Sequence, residues 1–125
     1  MIMGGLNEAA HVIAPLSGRV IVLTVTSASA SRFAIPAAFA GMPCDFMMEG
    51  ADAVIVFGDS SVAASLTAAA TVTSENITIA ATSGWRLQDG VSKYWVMPDA
   101  ASATHFSVVA ADAAMTLYIA RSGGI

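Results

Sequence analysis

The fold class is decided by the stretch Val20-Ile21-Val22-Leu23-Thr24-Val25-Thr26. Ile21, Leu23 and Val25 fall on one face of this stretch and the residues between them on the other, which is the two-residue period of a β-strand. Six of the seven residues are β-branched, and such side chains pack well on a pleated surface. The stretch therefore predicts a strand that begins directly after Gly18-Arg19.

The same two-residue period recurs along the rest of the chain in short segments. It predicts further strands at Asp45–Glu49, Ala53–Phe57, Asn76–Ala80, Ser92–Met97, Thr104–Ala110 and Met115–Arg121. Turn-forming groups such as Glu49-Gly50 and Gln88-Asp89-Gly90 separate these segments. Strands that recur about every 8–12 residues with such breaks are typical of sandwiches and barrels. The chain is therefore expected to be all-β, with about eight strands in one small antiparallel, jelly-roll-like sandwich or barrel.

The segment Val62–Thr73 is open to two interpretations. Val62, Ala64 and Leu66 alternate with small and polar residues, which favours a long strand or a bent pair of strands. Alanine favours helix, however, and Val62, Leu66 and Ala69 have helical spacing. The strand is the preferred interpretation, and the helix is the alternative.

A connection is predicted between Ile35-Pro36 and Met42-Pro43. The residues between them, Ala37 to Gly41, are expected to form one helical turn with Pro36 at its first position and Gly41 ending it. We expect this turn to cross one end of the barrel.

The length of 125 residues fits one domain, since domains cluster near about 100–150 residues. Residues 1–10 show no clear periodicity and are expected to form an N-terminal arm, either disordered or laid across a neighbouring subunit. Residues 11–125 are expected to form the β-domain.

Composition favours an assembly. Only 11% of the residues are charged and 56% are apolar, against about 25% and 45–50% in ordinary soluble domains. Much of the apolar excess is alanine, which can sit on a surface, but an oligomer remains the preferred interpretation. The net charge of −4 with five basic residues argues against a nucleic-acid partner, and an acidic membrane surface is disfavoured for the same reason.

The residues that could hold a metal or cofactor are few. The chain has two histidines, His11 and His105, and one cysteine, Cys44, whereas transition-metal sites need three or four converging ligands. Cys44 is expected to be a small buried apolar residue. No metal site and no cofactor are predicted.

One motif resembles a catalytic block. An apolar strand that ends in Gly58-Asp59-Ser60 is similar to the nucleophile motif of the Gly-Asp-Ser-Leu esterases, in which Ser60 would attack an acyl carbon. That family supplies its base and acid as Asp-x-x-His near the C-terminus, and this chain contains no such motif. Position 61 is serine where the family has leucine. A hairpin turn at Gly58-Asp59 is therefore the preferred interpretation, and no enzymatic activity is predicted.

The large aromatic residues of the C-terminal half are candidates for contacts with a partner. Trp85-Arg86 follows Gly84 and is expected at a loop tip, where exposed aromatic residues bind sugars or proteins. Tyr94 could complete such a platform, and His105 is expected to point into the barrel or at a neighbouring subunit. A core-capping role for Trp85 is the alternative.

Three regions together resemble the small β-barrel or jelly-roll virion proteins of tailed bacteriophages, of the head-decoration, cement, vertex or neck type. They are Ser17–Val25, the hairpin Gly50–Gly58, and the two terminal strands of Ala103–Ala110 and Met115–Gly124. The resemblance implies a structural protein that forms homo-oligomers, often trimers, and clamps capsid subunits. It also implies assembly in the host cytoplasm and a final location in the virion.

Two other functions stay open. One is a carbohydrate- or receptor-binding β-sandwich that uses Trp85 and Tyr94, and the other is a small serine esterase that uses Ser60. Oligomeric mass, glycan-dependent tryptophan fluorescence and ester hydrolysis would separate the three hypotheses.

Overall fold

The structure, a computed structural model, describes residues 18–121, which form ten strands and no helix. The strands are β1 (Val20–Val25), β2 (Ser31–Ala34), β3 (Pro43–Glu49), β4 (Ala53–Gly58), β5 (Thr71–Thr73), β6 (Asn76–Thr78), β7 (Trp85–Leu87), β8 (Lys93–Val96), β9 (His105–Ala110) and β10 (Met115–Arg121). The expected all-β class is confirmed. The predicted N-terminal arm at 1–10 and the start of the predicted domain at 11 lie outside the described residues.

Two four-stranded antiparallel sheets form a sandwich. Sheet A has the order β1-β10-β3-β8 and sheet B has the order β2-β9-β4-β7. Strands β5 and β6 form a separate two-stranded hairpin. The described strands do not close into a barrel, so of the two expected architectures the sandwich is confirmed and the closed barrel is wrong.

The core lies between the inner faces of the two sheets. Phe46 and Leu117 of sheet A pack in one buried cluster with Ile55 and Phe106 of sheet B. The ring of Phe46 lies 5.1 Å from that of Trp95 and 6.1 Å from that of Phe57, measured between centroids. Alternation along each strand supplies these residues, because every second side chain points inward.

Sheet B is also covered on its outer face. Ala64 is buried there against Val54 and Val109, and its backbone N–H donates a hydrogen bond of 2.9 Å to the Ser107 hydroxyl. As a result Phe106–Ala110 is buried on both faces, whereas an antiparallel sheet commonly has one face in water.

The strand prediction for Val62–Thr73 is wrong for most of its length. Only Thr71–Thr73 is a strand, and residues 62–70 are neither strand nor helix. Small side chains let this segment lie close against sheet B, and the Ser65 N–H donates to the Thr82 carbonyl at 3.2 Å instead of pairing in a sheet. Tertiary packing decides its conformation here.

The connection at 36–41 forms the predicted turn. The N–H groups of Phe39 and Ala40 donate to the Pro36 carbonyl at 2.9 and 3.2 Å. Gly41 ends the turn with φ +73°, a conformation that glycine adopts without steric cost. Phe39 is buried in the core, so the turn closes one end of the sandwich.

No helix among residues 18–121 is long and apolar enough to cross a bilayer.

Cys44 lies in β3 with its side chain fully buried, as predicted. Burial raises the pKa of its thiol from 9.0 to about 11. Because the thiolate is the reactive form, the native thiol at pH 8 is expected to react with Ellman's reagent at least about 100-fold more slowly than the urea-unfolded chain. Absorbance at 412 nm would measure both rates, and equal rates would contradict the burial.

Candidate functional site

The two tryptophans of the chain meet at one open edge of the sandwich. Trp85, in the edge strand β7, lies opposite Ile55 of β4, and Trp95, in the edge strand β8, lies opposite Cys44 of β3. Ile55 and Cys44 are buried between the sheets, so both tryptophan side chains lie on the inner faces of their sheets. Their ring centroids are 6.3 Å apart and their planes cross at 81°. The edge-to-face geometry is a favoured arrangement of aromatic pairs. The pair joins β7 of sheet B to β8 of sheet A.

A groove of about 480 Å³ opens between these edge strands. Its lining consists of Ile55, Val56, Phe57, Ser83, Gly84, Trp85 and Trp95. A Cβ atom at Gly84 would collide with the Ile55 carbonyl oxygen, so glycine is what lets the chain enter β7 this close to β4. Ser83 contributes a hydroxyl group, and the indole N–H groups of the two tryptophans are the other polar side-chain groups of the lining. The groove, called the tryptophan groove below, is therefore suited to apolar groups.

A second candidate surface is the outer face of sheet A. It carries the exposed side chains of Val20, Val22, Tyr94 and Val96, with half-buried Met47 and Tyr118 between them. Asp45 and Glu49 share this face by strand alternation, and the Tyr118 hydroxyl donates to Glu49 at 3.2 Å. That hydrogen bond raises the pKa of Tyr118. The face is thus apolar with an acidic component.

The third candidate surface is the β5–β6 hairpin. Val72 pairs with Ile77 across the two strands, and the two side chains are 64% and 66% exposed. Ile79 directly follows Thr78, the last residue of β6, and is 77% exposed. Threonines and Asn76 occupy the opposite side. Val72, Ile77 and Ile79 form what we call the apolar face of the hairpin.

The four residues predicted from the sequence to contact a partner lie on separate surfaces. Trp85 lines the tryptophan groove, Arg86 points to the opposite side of β7, and Tyr94 lies on the outer face of sheet A. His105 begins β9, with its Nδ1 atom 2.8 Å from the Thr104 hydroxyl. The predicted loop tip at Trp85-Arg86 is wrong, because both residues belong to strand β7. Trp95, which lines the groove, was not among the predicted residues.

Arg86 takes part in a polar network at the end of β7. Its guanidinium lies 3.3 Å from the Asp52 carboxylate, which also accepts a 2.9 Å hydrogen bond from the Asp89 N–H. The Asp89 carboxylate in turn accepts from the Gly50 N–H at 2.9 Å. The Asp89 backbone hydrogen bond, followed by the interaction with Arg86, lowers the pKa of Asp52. The network joins the ends of β3, β4 and β7.

This network predicts a pH effect on stability. A carboxylate with a lowered folded-state pKa stabilises the fold above its ordinary pKa of 3.8 and loses that contribution as the pH falls through the folded-state value. Asp52→Asn is therefore expected to lessen the fall in thermal unfolding temperature between about pH 4 and pH 2. Circular dichroism melts would measure it, with Glu75→Gln at the exposed hairpin turn as the control. An Asp52→Asn curve parallel to that of the wild type would contradict the role of the network.

The Gly58-Asp59-Ser60 block forms a turn after β4, but the predicted hairpin is wrong, because β4 pairs with β7 and β9 and not with the next strand, β5. Asp59 accepts hydrogen bonds from the Ser61 hydroxyl at 2.6 Å and the Ser61 N–H at 2.8 Å, and these bonds lower the pKa of Asp59. His105 pairs with Gly58 across β4 and β9. Within residues 18–121 no hydrogen bond joins Ser60 to His105. The Asp59 carboxylate therefore stabilises the turn in which it lies.

The part of the chain that the structure describes contains no group of three or more His, Cys, Asp or Glu side chains placed to hold a metal ion. Comparison of the chain with protein-family models, curated proteins and solved structures gives no match. The tryptophan groove, the outer face of sheet A and the apolar face of the hairpin are therefore the features from which a function can be proposed.

Proposed function

We propose that this chain is a structural, homo-oligomeric virion protein of a tailed bacteriophage. In this proposal the outer face of sheet A packs against a capsid protein, and the chain stabilises the particle through subunit contacts as a decoration, cement, vertex or neck component. The observation that carries the proposal is the exposed apolar outer face of sheet A.

The two sheets differ in how their outer faces are covered. The segment around Ala64 covers sheet B, whereas Val20, Val22 and Val96 of sheet A remain exposed among the described residues. A solvent-facing side of an antiparallel sheet normally alternates to polar residues. Apolar side chains exposed on such a face are typical of an interaction surface.

The charged residues on the outer face of sheet A indicate what kind of partner would bind there. Asp45 and Glu49 are its charged residues, and a second copy of the same face would bring like charges together. Like charges across an interface are unfavourable, whereas complementary potentials favour association. A capsid surface that combines apolar side chains with Lys or Arg fits this face better than a second copy does.

Co-sedimentation with intact capsids of the phage whose genome carries the gene tests this proposal. Wild-type protein is expected to sediment with the capsids, and Val96→Asp is expected to weaken binding by about tenfold or more because it places a charge in a desolvated contact. Val91→Asp, which changes an exposed valine in a loop, is the matched control and is expected to bind normally. Absence of wild-type binding, or equal binding by Val96→Asp, would refute the proposal.

A further inference from the structure

We propose that the tryptophan groove of one copy receives the apolar face of the β5–β6 hairpin from a second copy. This contact specifies how the chain self-associates, and it rests on the homo-oligomer proposed above.

The hairpin is the part of the described chain that most needs a covering partner. A two-stranded hairpin is marginally stable in water unless a further strand or another element packs on it. Here Val72, Ile77 and Ile79 are all exposed by more than 60%. Their opposite side carries threonines and Asn76, which suit solvent. One side of the hairpin is therefore built for burial and the other for water.

The chemistry of the groove matches that apolar side. Because the polar side-chain groups in the lining are the Ser83 hydroxyl and the two indole N–H groups, a sugar in the groove would find few hydrogen-bond partners there. Aliphatic side chains require no such partners. Between Asp59 and Arg86 the chain has a single charge, Glu75, which lies at the hairpin turn. Val72, Ile77 and Ile79 are uncharged, so burial of the apolar face itself buries no charged group.

The hairpin is held away from the groove of its own chain. None of residues 71–79 lines that groove, although only five residues separate Ile79 from Trp85. The short connection is fixed by a hydrogen bond from the Ser83 N–H to the Ala80 carbonyl at 3.0 Å. A second bond, from the Ser65 N–H to the Thr82 carbonyl, ties it to the segment that covers sheet B. The hairpin is therefore free to enter the groove of a neighbour.

Such a contact has a defined symmetry. Each copy gives one hairpin and receives another, so two different surfaces meet in a head-to-tail arrangement. Head-to-tail contacts close into rings when the rotation between copies permits. The trimer implied by the resemblance to virion proteins is one such ring.

Single-residue variants and their mixtures test the contact, with mass measured by analytical ultracentrifugation of the full chain. Ile77→Asp and Ser83→Glu each place a charge on one side of the contact, and each is expected to raise the dissociation constant by about tenfold or more. Thr78→Asp, on the other side of the same hairpin, and Tyr94→Ser, on the outer face of sheet A, are expected to associate normally. Circular dichroism would establish that every variant is folded.

Mixing the two disrupted variants gives the sharpest result. Ile77→Asp retains an intact groove and Ser83→Glu retains an intact hairpin, so a mixture can form one undamaged contact and is expected to give heterodimers. Both tryptophans of the chain line the groove, so their emission in the mixture is expected to shift to shorter wavelength. Failure of the mixture to form heterodimers would overturn the proposed contact.

The remaining outcomes separate this inference from the proposed function. If the wild-type chain associates and either Ile77→Asp or Ser83→Glu associates as well as it does, the copies meet through another surface, and the inference falls while the homo-oligomer stands. A wild-type chain that remains monomeric at all concentrations tested overturns both.

Discussion

Phe46→Ala is expected to lower the free energy of unfolding by about 3–5 kcal/mol, the largest effect of any truncation considered for this chain. The Phe46 side chain is fully buried, and its ring contacts those of Trp95 and Phe57 from two directions. Its removal leaves a cavity that β-strands on both sides can fill only in part. A domain of this size is stable by about 5–15 kcal/mol, so the variant would lose a large fraction of its stability. Urea unfolding followed by circular dichroism measures the difference.

Tyr94→Ala is the matched control for this prediction. Tyr94 is an aromatic residue of the neighbouring strand β8, but its side chain lies exposed on the outer face of sheet A. Its truncation is expected to change the free energy of unfolding by less than about 1 kcal/mol. Equal losses for the two variants would mean that Phe46 does not lie in the core between the sheets.

Much of the core that sheet A contributes could be predicted from sequence alternation. In β1 and β10 every second residue is large and apolar, and these inward residues lie opposite one another within sheet A, such as Leu23 with Leu117. Two strands escaped prediction, β2 and β7, because they span four and three residues. On its own a segment that short contains too few repeats to reveal a period. The equally short β6 and β8 were predicted within longer alternating stretches, Asn76–Ala80 and Ser92–Met97.

The conformation of residues 62–70 could not be predicted from alternation. Alternation among Ala, Ser and Thr has little meaning, because these side chains differ little in their preference for burial. What orders the segment is a contact 43 residues along the chain, between Ala64 and Ser107. No local pattern could reveal that contact.

The candidate surfaces were predictable only in part. Trp85 stood out from the sequence as an exposed aromatic, and it is 63% exposed. Its neighbour in the groove, Trp95, is brought to it only because β7 and β8 are the edge strands on the same side of the sandwich. The open edge itself results from the sheets not closing, and short-range alternation is the same in a sandwich and a barrel.

Ser107→Ala is expected to lower the free energy of unfolding by about 1–3 kcal/mol, although the substitution removes only one hydroxyl group. Ser107 is 1% exposed, and its hydroxyl accepts the hydrogen bond of the Ala64 N–H in a buried position. Alanine would leave that N–H buried without a partner, and the N–H can regain one only if the segment lifts from sheet B into water. Native-state hydrogen exchange is therefore expected to become faster at Ala64 in this variant.

The expected result distinguishes two ways of holding the segment around Ala64 on sheet B. One is a latch, by which we mean the Ala64–Ser107 hydrogen bond, and the other is apolar burial alone. If burial of Ala64 against Val54 and Val109 alone held the segment on sheet B, then Ser107→Ala would behave like Ser102→Ala, which removes an exposed serine hydroxyl. Equal unfolding free energies and unchanged exchange at Ala64 would contradict the latch. A selective loss in Ser107→Ala would instead show that one buried hydroxyl keeps the outer face of sheet B closed, which leaves the outer face of sheet A as the exposed face of the sandwich.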